Sequence, residues 1–323
     1  MRLRIKACLL AVASLMATAT ATFAEDYPTH SVRLLVGYAT GGSPDIVART
    51  IAQQLSEILK QPFVVENKPG ASGTIAAAQT AKAAPDGYTI YIADVAQFGI
   101  TPFMYKDLPF DPKTAFTPVA LATGVPLALV ANAKTGFKTL ADLVRYAKAN
   151  PGKLNYGSVG IGSAHHIAVE VLKHDAGIDM VHVPFKGASQ YIPALLANDV
   201  QVALSGFTGS APYVRTGQLN ILGVTSAVRF PGAPDVPTIG ETYRGYEFAP
   251  ALGVMAPSGT PPEVVAKLSG AIKTALEVPQ VKERLISLGL IPSWLSSRDY
   301  AEYMRRDMER YERAIQDLHI QLN

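Results

Sequence analysis

Hydrophobic and polar positions follow two rhythms along the 323-residue chain. Short β-branched runs have strand character, and between them apolar residues recur at helical spacing. Residues 32–36 and 63–65 predict strands, joined by a helix over 43–60 that carries Val47, Ile51, Leu55, Ile58 and Leu59 on one stripe. An Ala-rich helix over 72–82, a turn at Pro85-Asp86-Gly87 and a strand over 88–93 complete a βαβαβ start. A second series follows, with strands predicted at 126–132, 155–158, 180–183, 200–205 and 219–225. Its helices are predicted at 140–150, 163–175 and 189–197. After a Pro/Gly-rich stretch at 231–237 come a strand over 251–256 and three helical segments starting near Pro262, Pro279 and Ser297. The last repeats Tyr300, Met304, Met308, Tyr311, Ile315 and Leu318 at helical spacing, with a capping-box pair, Ser296 and Asp299, at its start. Alternating strands and helices predict an α/β fold. A single core stops growing at roughly 250–300 residues, so two lobes around a cleft are expected. Lobe 1 takes 25–125 with 251–323 and lobe 2 takes 126–250, with crossovers near 121–130 and 248–254.

Composition narrows the class. With 48% hydrophobic and 17% charged residues, the chain is a compact globular protein rather than a disordered, collagen-like or coiled-coil one. Residues 1–24 carry Arg2, Arg4 and Lys6, then an apolar run over 7–17, then small residues up to Ala24. That order reads as a secretory signal peptide cleaved after Ala24 or Ala21, and the single cysteine, Cys8, leaves with it. The segment holds three of 29 Lys+Arg and none of 26 Asp+Glu, so 26 face 26 in what remains. A near-neutral chain lacks the electrostatic motive for a nucleic-acid partner. The apolar stretch 118–133 is broken by Gly124 and Pro126 and does not read as a membrane span. The expectation is an exported, soluble and unanchored protein.

Two places share one design. After the first strand, Gly37-Tyr38-Ala39-Thr40-Gly41-Gly42-Ser43-Pro44-Asp45 leads into a helix, with Ser43 predicted as N-cap and Pro44 at the first helical position. In the second series, Gly157-Ser158-Val159-Gly160-Ile161-Gly162-Ser163-Ala164-His165 does the same, with Ser163 as cap. Each helix start offers unpaired N–H groups at the positive end of a helix dipole, which suits an anion. A third start, at Pro69-Gly70-Ala71-Ser72-Gly73-Thr74, adds backbone donors. The second loop has His165 where a dinucleotide fingerprint needs glycine, and neither a Walker sequence nor a Gly-x-Ser-x-Gly elbow is present. His166, Glu170 and His174 are spaced for one helical face, and that face is read as solvated rather than as a metal site. His182 and Lys186 are read as core or rim.

These residues resemble the tripartite tricarboxylate transporter substrate-binding proteins, the Bordetella uptake gene (Bug) family. The resemblance rests on Tyr27-Pro28, Gly41-Gly42-Ser43-Pro44-Asp45, Glu66-Asn67-Lys68-Pro69-Gly70-Ala71 and Pro85-Asp86-Gly87-Tyr88. It continues through Asn150-Pro151-Gly152, Asn155-Tyr156-Gly157-Ser158, His182-Val183-Pro184-Phe185-Lys186-Gly187, Asp235-Val236-Pro237-Thr238 and Ala256-Pro257-Ser258-Gly259. It implies a type II periplasmic binding protein that closes on a small carboxylate and delivers it to a membrane permease, with one carboxylate on the loop 38–45 and the other end on 160–165. The candidate ligand-binding residues are Tyr38, Thr40, Gly41, Gly42, Ser43, Asp45, Ser72, Asp94 and Gln97 in the first lobe. In the second lobe they are Gly160, Gly162, Ser163, Ala164, His165, Phe185 and Ser205. No cofactor and no metal are expected, and the chain is expected to be monomeric. Thr40 stands where the family usually has proline. Residues 200–207 lack an acid that the family often carries, which disfavours an amino-acid ligand. Tyr38, Phe98, Phe185 and Phe207 suggest a cleft for an acid of aromatic or apolar character, with a dicarboxylate as the other choice. A ligand-sensing partner of a sensor kinase is the alternative reading, and a hydrolase or metal-dependent enzyme using Ser163, His165 and His166 is less favoured.

Overall fold

The computed structural model describes residues 27–320, so the signal-peptide segment 1–24 lies outside the described residues. The first series builds strand β1 (Val32–Val36), helix α1 (Ser43–Leu59), β2 (Phe63–Asn67), α2 (Thr74–Ala81), β3 (Thr89–Asp94) and α3 (Val95–Met104). Strand β4 (Phe116–Gly124) then leads to β5 (Leu127–Asn132), α4 (Leu140–Ala149), β6 (Asn155–Ser158), α5 (Ala164–Ala176) and β7 (Val181–Pro184). Next come α6 (Ala188–Ala197), β8 (Val202–Gly206), α7 (Phe207–Arg215) and β9 (Leu219–Val224). The chain finishes with β10 (Ala251–Pro257), α8 (Pro262–Glu277), α9 (Pro279–Ser287), β11 (Ile291–Leu295) and α10 (Ser297–Asp317).

Two mixed sheets form, matching the α/β expectation. One has the order β11-β4-β10-β3-β1-β2 and the other β7-β6-β8-β5-β9. β1 pairs parallel with β2 and β3, and β10 runs antiparallel beside β3. The second sheet repeats this plan: β6 pairs parallel with β7 and β8, and β5 runs antiparallel beside β8. In each sheet the chain reverses its winding direction at one strand pair, β1/β3 or β6/β8, and ligands of open α/β sheets settle outside the carboxyl ends of such a pair.

Strands of 32–124 and 251–295 make the first sheet, and strands of 127–224 make the second. The two crossings run side by side: Val125 N–H donates to the Pro250 carbonyl (2.7 Å) and Phe248 N–H to the Thr225 carbonyl (3.0 Å). Two elements ignore the sequence boundary. Ala96 and Ile100 of α3 and Tyr311, Ala314 and Ile315 of α10 pack with Ile167, Val171 and Leu172 of α5 in one apolar cluster.

Four elements depart from the sequence reading. α3 is not foretold by periodicity, because Val-Ala-Gln-Phe-Gly-Ile-Thr-Pro-Phe-Met has no polar face and carries Pro102 inside. α7, with Pro212 inside, and the strands β4 and β11, with Pro118 and Pro292, escape for the same kind of reason; β11 is a sheet edge and β4 lies between it and β10. The helix expected over 72–82 begins at Thr74, because residues 70–73 all have positive φ (132°, 46°, 53° and 88°). Ser43 is not the N-cap. Gly42 takes that position without a side-chain bond, and Ser43 is the first helical residue.

Candidate functional site

A cavity of about 450 Å³ lies where the carboxyl ends of β1, β3 and β6 meet. It falls within the usual range for a small-molecule site. A groove of about 650 Å³ along α8, past Trp294, is larger, but it is lined by residues 117, 260–273 and 294–298 alone, with none from the second sheet or its helices. One wall of the cavity comes from Tyr38, Ser72 and the stretch 94–104, through Asp94, Ala96, Gln97, Ile100, Thr101 and Met104. The facing wall comes from Val159, Gly162, Ser163, Ala164 and His165, with Lys186 and Pro250 at the edge.

Each wall presents a helix start. Asp94 caps α3, its Oδ1 accepting the Ala96 N–H (3.2 Å). Ser163 caps α5: its Oγ accepts the His166 N–H (3.2 Å) and donates to the Gly160 carbonyl (2.7 Å). Behind it, Gly162 N–H donates to His166 Nδ1 (3.2 Å), so the loop is drawn tight and the first-turn amides of Ala164 and His165 front the cavity. Those amides have no intrahelical acceptor.

The remaining wall is set by close backbone approach. A Cβ on Gly37 would come within 2.6 Å of Gly73 Cα, and one on Gly73 within 2.9 Å of Gln97 Oε1 and 3.1 Å of the Tyr91 hydroxyl. Ala71 and Ser72, both left-handed without being glycine, hold this turn. Such backbone outliers cluster at binding sites. Tyr91 donates to Gln97 Oε1 (3.0 Å), and the buried Gln97 Nε2 has no partner.

Burial pushes the Asp94 carboxyl up to about 6, against the Ala96 N–H and a long contact from the Tyr38 hydroxyl (3.5 Å). Burial pushes His165 down to about 4, so it is a neutral donor or acceptor near pH 7. Lys186, exposed, is the only Lys or Arg among the described residues on the wall. Burial also raises Tyr38 well above the ordinary tyrosine value, keeping its hydroxyl protonated.

Of the candidate residues, the cavity gathers Tyr38, Ser72, Asp94, Gln97, Gly162, Ser163, Ala164 and His165. It does not gather Thr40, Gly41, Gly42, Ser43, Asp45, Gly160, Phe185 or Ser205. The start of α1 is filled from within: the buried Asp45 Oδ2 accepts the Gly41 N–H (2.9 Å) while Asn67 Nδ2 (2.9 Å) and Arg49 Nε (3.0 Å) donate to Oδ1. Although burial alone would raise it, these bonds from Arg49, Gly41 and Asn67 hold the Asp45 carboxyl below the usual range. Asn67 Nδ2 also reaches the Tyr38 carbonyl (3.0 Å), so the network positions the loop that carries Tyr38. The helix starts that meet across the cavity are those of α3 and α5, not those of α1 and α5. Gly160 serves as acceptor for Ser163, Ser205 Oγ accepts from the Tyr191 hydroxyl (3.0 Å), and Phe185 packs in a separate cluster.

Two other expectations change. Phe98 and Phe207 are core residues, packed on Phe110 with Phe116 and on Phe230, so the rings left on the wall are those of Tyr38 and His165. His166 is buried and stacked on His182 (4.1 Å between rings), which itself stacks on Tyr156 (4.8 Å), so the face His166–Glu170–His174 is not solvated throughout. Glu170 bonds the Tyr156 hydroxyl (2.5 Å) and Lys173 (2.9 Å), and only His174 of the three is exposed. Among the described residues, no three His, Cys, Asp or Glu side chains are grouped to hold a metal ion. Sequence reasoning missed Ala96, Ile100, Thr101 and Met104 of α3, and Val159, Lys186 and Pro250. The signal for those of α3 was the apolar run after Asp94 with an N-cap residue before it.

Comparison with known proteins gives consistent matches. Residues 47–320 match the family described as "Tripartite tricarboxylate transporter family receptor", TctC. A UPF0065 protein of Bordetella pertussis is 34% identical over 313 residues, 97% of each chain. Among solved structures, R. palustris Rpa4515 with adipate is 34% identical at a TM-score of 0.79, over 91% of this chain and 99% of that one. MatC from Rhodopseudomonas palustris with bound malate is 31% identical at 0.72, over 90% of this chain and all (100%) of that one. Matched along most of its length by a family description and by relatives of like size, this chain belongs to the tripartite tricarboxylate transporter receptor (TctC) family.

Proposed function

We propose that this protein is a periplasmic solute-binding protein that captures a small aliphatic dicarboxylate in the 94–104/159–165 cavity and hands it to a tripartite tricarboxylate-type permease. The observation that carries this reading is the meeting of two helix starts, at Asp94–Gln97 and Ser163–His165, across one cavity that also presents the apolar Ile100, Met104, Val159 and Pro250. Adipate and malate in relatives of the same fold support it. The lobes, 25–125 with 251–323 and 126–250, close on the ligand, and export by residues 1–24 places them in the periplasm.

Micromolar affinity needs about −8 kcal/mol. A helix dipole supplies roughly 0.3–1 kcal/mol and a hydrogen bond to a charged group about 1.5–3. Several donors must therefore converge. The Ala164 and His165 amides serve one carboxylate, on a loop that the Ser163 hydroxyl holds in place, and Gln97 Nε2, Ser72 and Tyr38 serve the other end. Ile100, Met104, Val159 and Pro250 enclose the methylene chain. Closure excludes water, and ligand shifts the open–closed balance only by its preference for the closed form.

The enzyme reading finds no support in this geometry. Ser163 Oγ donates to a backbone carbonyl, and the one close Ser–His side-chain pair among the described residues, Ser158 Oγ to His182 Nε2 at 2.7 Å, is fully buried at the serine. Calorimetric titration with C4–C6 dicarboxylates, aromatic acids and amino acids, together with mass spectrometry of co-purified ligand, tests the proposal. Saturable binding of an aliphatic diacid at micromolar level is expected. Binding confined to aromatic acids or amino acids would overturn the ligand class.

A further inference from the structure

The cavity just assigned to an anion carries an acid of its own. Asp94 lies on the wall, capping α3, and among the described residues no Lys, Arg or His nitrogen lies within ion-pairing distance of it. Its protein partners are the Ala96 N–H at 3.2 Å and the Tyr38 hydroxyl at 3.5 Å, the second long for a hydrogen bond. The groups around it add little positive charge. Tyr91 of β3 and Tyr300, Tyr303 and Tyr311 of α10 are buried phenols. Asp307 of α10 is a second buried acid, and its cation, Arg310, is already shared with Glu247 (2.9 Å to Asp307, 3.0 Å to Glu247). Across the cavity stand neutral His165 and the exposed Lys186. Two carboxylates meeting in such a place repel each other strongly unless one of them carries a proton.

Resting on the solute-binding reading above, we propose that Asp94 enters the complex as the neutral carboxylic acid and donates its proton to a ligand carboxylate, so that binding a plain dicarboxylate takes up one proton from solvent. Gln97 Nε2, buried and unpartnered in the same wall, is a second neutral donor for that carboxylate. The ligand class sharpens accordingly to diacids without an ammonium group, since an amino acid would need Asp94 ionised. Burial already places the free carboxyl near 6, so the proton is available at little cost just below neutrality.

The test is calorimetric titration of wild type with adipate and with glutamate between pH 5 and 8, in buffers of differing ionisation enthalpy. For adipate, affinity is expected to be flat below pH 6 and to weaken about tenfold per pH unit above it, with about one proton taken up at pH 7 and little at pH 5. Asp94→Asn keeps a good N-cap and a neutral donor, and is expected to bind adipate at pH 7.5 at least as tightly as wild type, with no pH slope. Asp307→Asn, which removes the other buried acid, is expected to keep the slope. A flat wild-type profile, a slope that disappears in Asp307→Asn but persists in Asp94→Asn, or glutamate binding that strengthens with pH would each overturn the inference. Absence of binding by every carboxylate at every pH would sink the solute-binding reading itself, which a flat profile with tight binding would leave standing.

Discussion

Asp45→Ala separates a loop-organising carboxylate from a ligand-facing one. In the structure Asp45 is 2% exposed and accepts from Gly41 N–H, Asn67 Nδ2 and Arg49. Arg49 is half exposed, so its ion pair is discounted as solvent-screened. The two neutral donors are worth about 1.5–3 kcal/mol each against a charged acceptor, offset in part by the desolvation of the carboxylate. A net loss of about 2–4 kcal/mol is expected, which for a chain of this size is a fall in Tm of about 4–8 °C. The carboxyl titrates below its ordinary value, so its stabilisation is present above about pH 4 and is lost as pH falls through the lower folded value. The difference between wild type and variant should therefore shrink on acidification below pH 4. Urea unfolding at pH 3, 5 and 7 reads stability, and titration with adipate reads affinity, which is expected to change less than tenfold. Unchanged unfolding with affinity lost more than tenfold would show that residues 41–45 hold the ligand, and would refute the reasoning.

Three further outcomes are expected. Ser163→Ala removes the cap of α5 and should cost about 1 kcal/mol of stability, while diacid affinity falls at least tenfold because the loop 160–163 relaxes away from the cavity; equal affinity by calorimetry would place the ligand elsewhere. Gly73→Ala puts a Cβ 2.9 Å from the Gln97 amide at φ +88°, so the amide must move into the cavity, and affinity should drop tenfold or more at a strain of about 1–3 kcal/mol; unaltered binding and unfolding would contradict the close packing. Burial raises Asp307 to about 7, partly offset by Arg310. The folded state then holds a proton that the unfolded chain has released, so stability should decline as pH rises from about 4 to 7. Asp307→Asn should flatten the part between pH 6 and 7, and an identical slope in urea unfolding would exclude that group.

Much of the architecture could be read from periodicity. β1, α1, β6, α5 and the last helix have clean strand or helix rhythms, and Ser163 and Ser296 cap α5 and α10 as their positions imply. α3 escapes because it buries most of its surface and carries an internal proline, and α7 because Pro212 reads as a break. The same blindness hides part of the site, since Ala96, Ile100, Thr101 and Met104 belong to α3. The glycine loop after β1 looks like an anion nest because its sequence leaves a helix start uncapped. Only the three-dimensional return of Asn67 and Arg49 reveals that the chain supplies its own anion there.

The paired crossings have a mechanical consequence. With Val125 tied to Pro250 and Phe248 to Thr225, the two connecting segments behave as one short plate, stiff against sliding and against twisting about its length. In the lobe closure proposed above, these ties would favour a bend across the plate over sliding. A membrane partner reading this protein would gauge that bend to know whether its cargo is aboard.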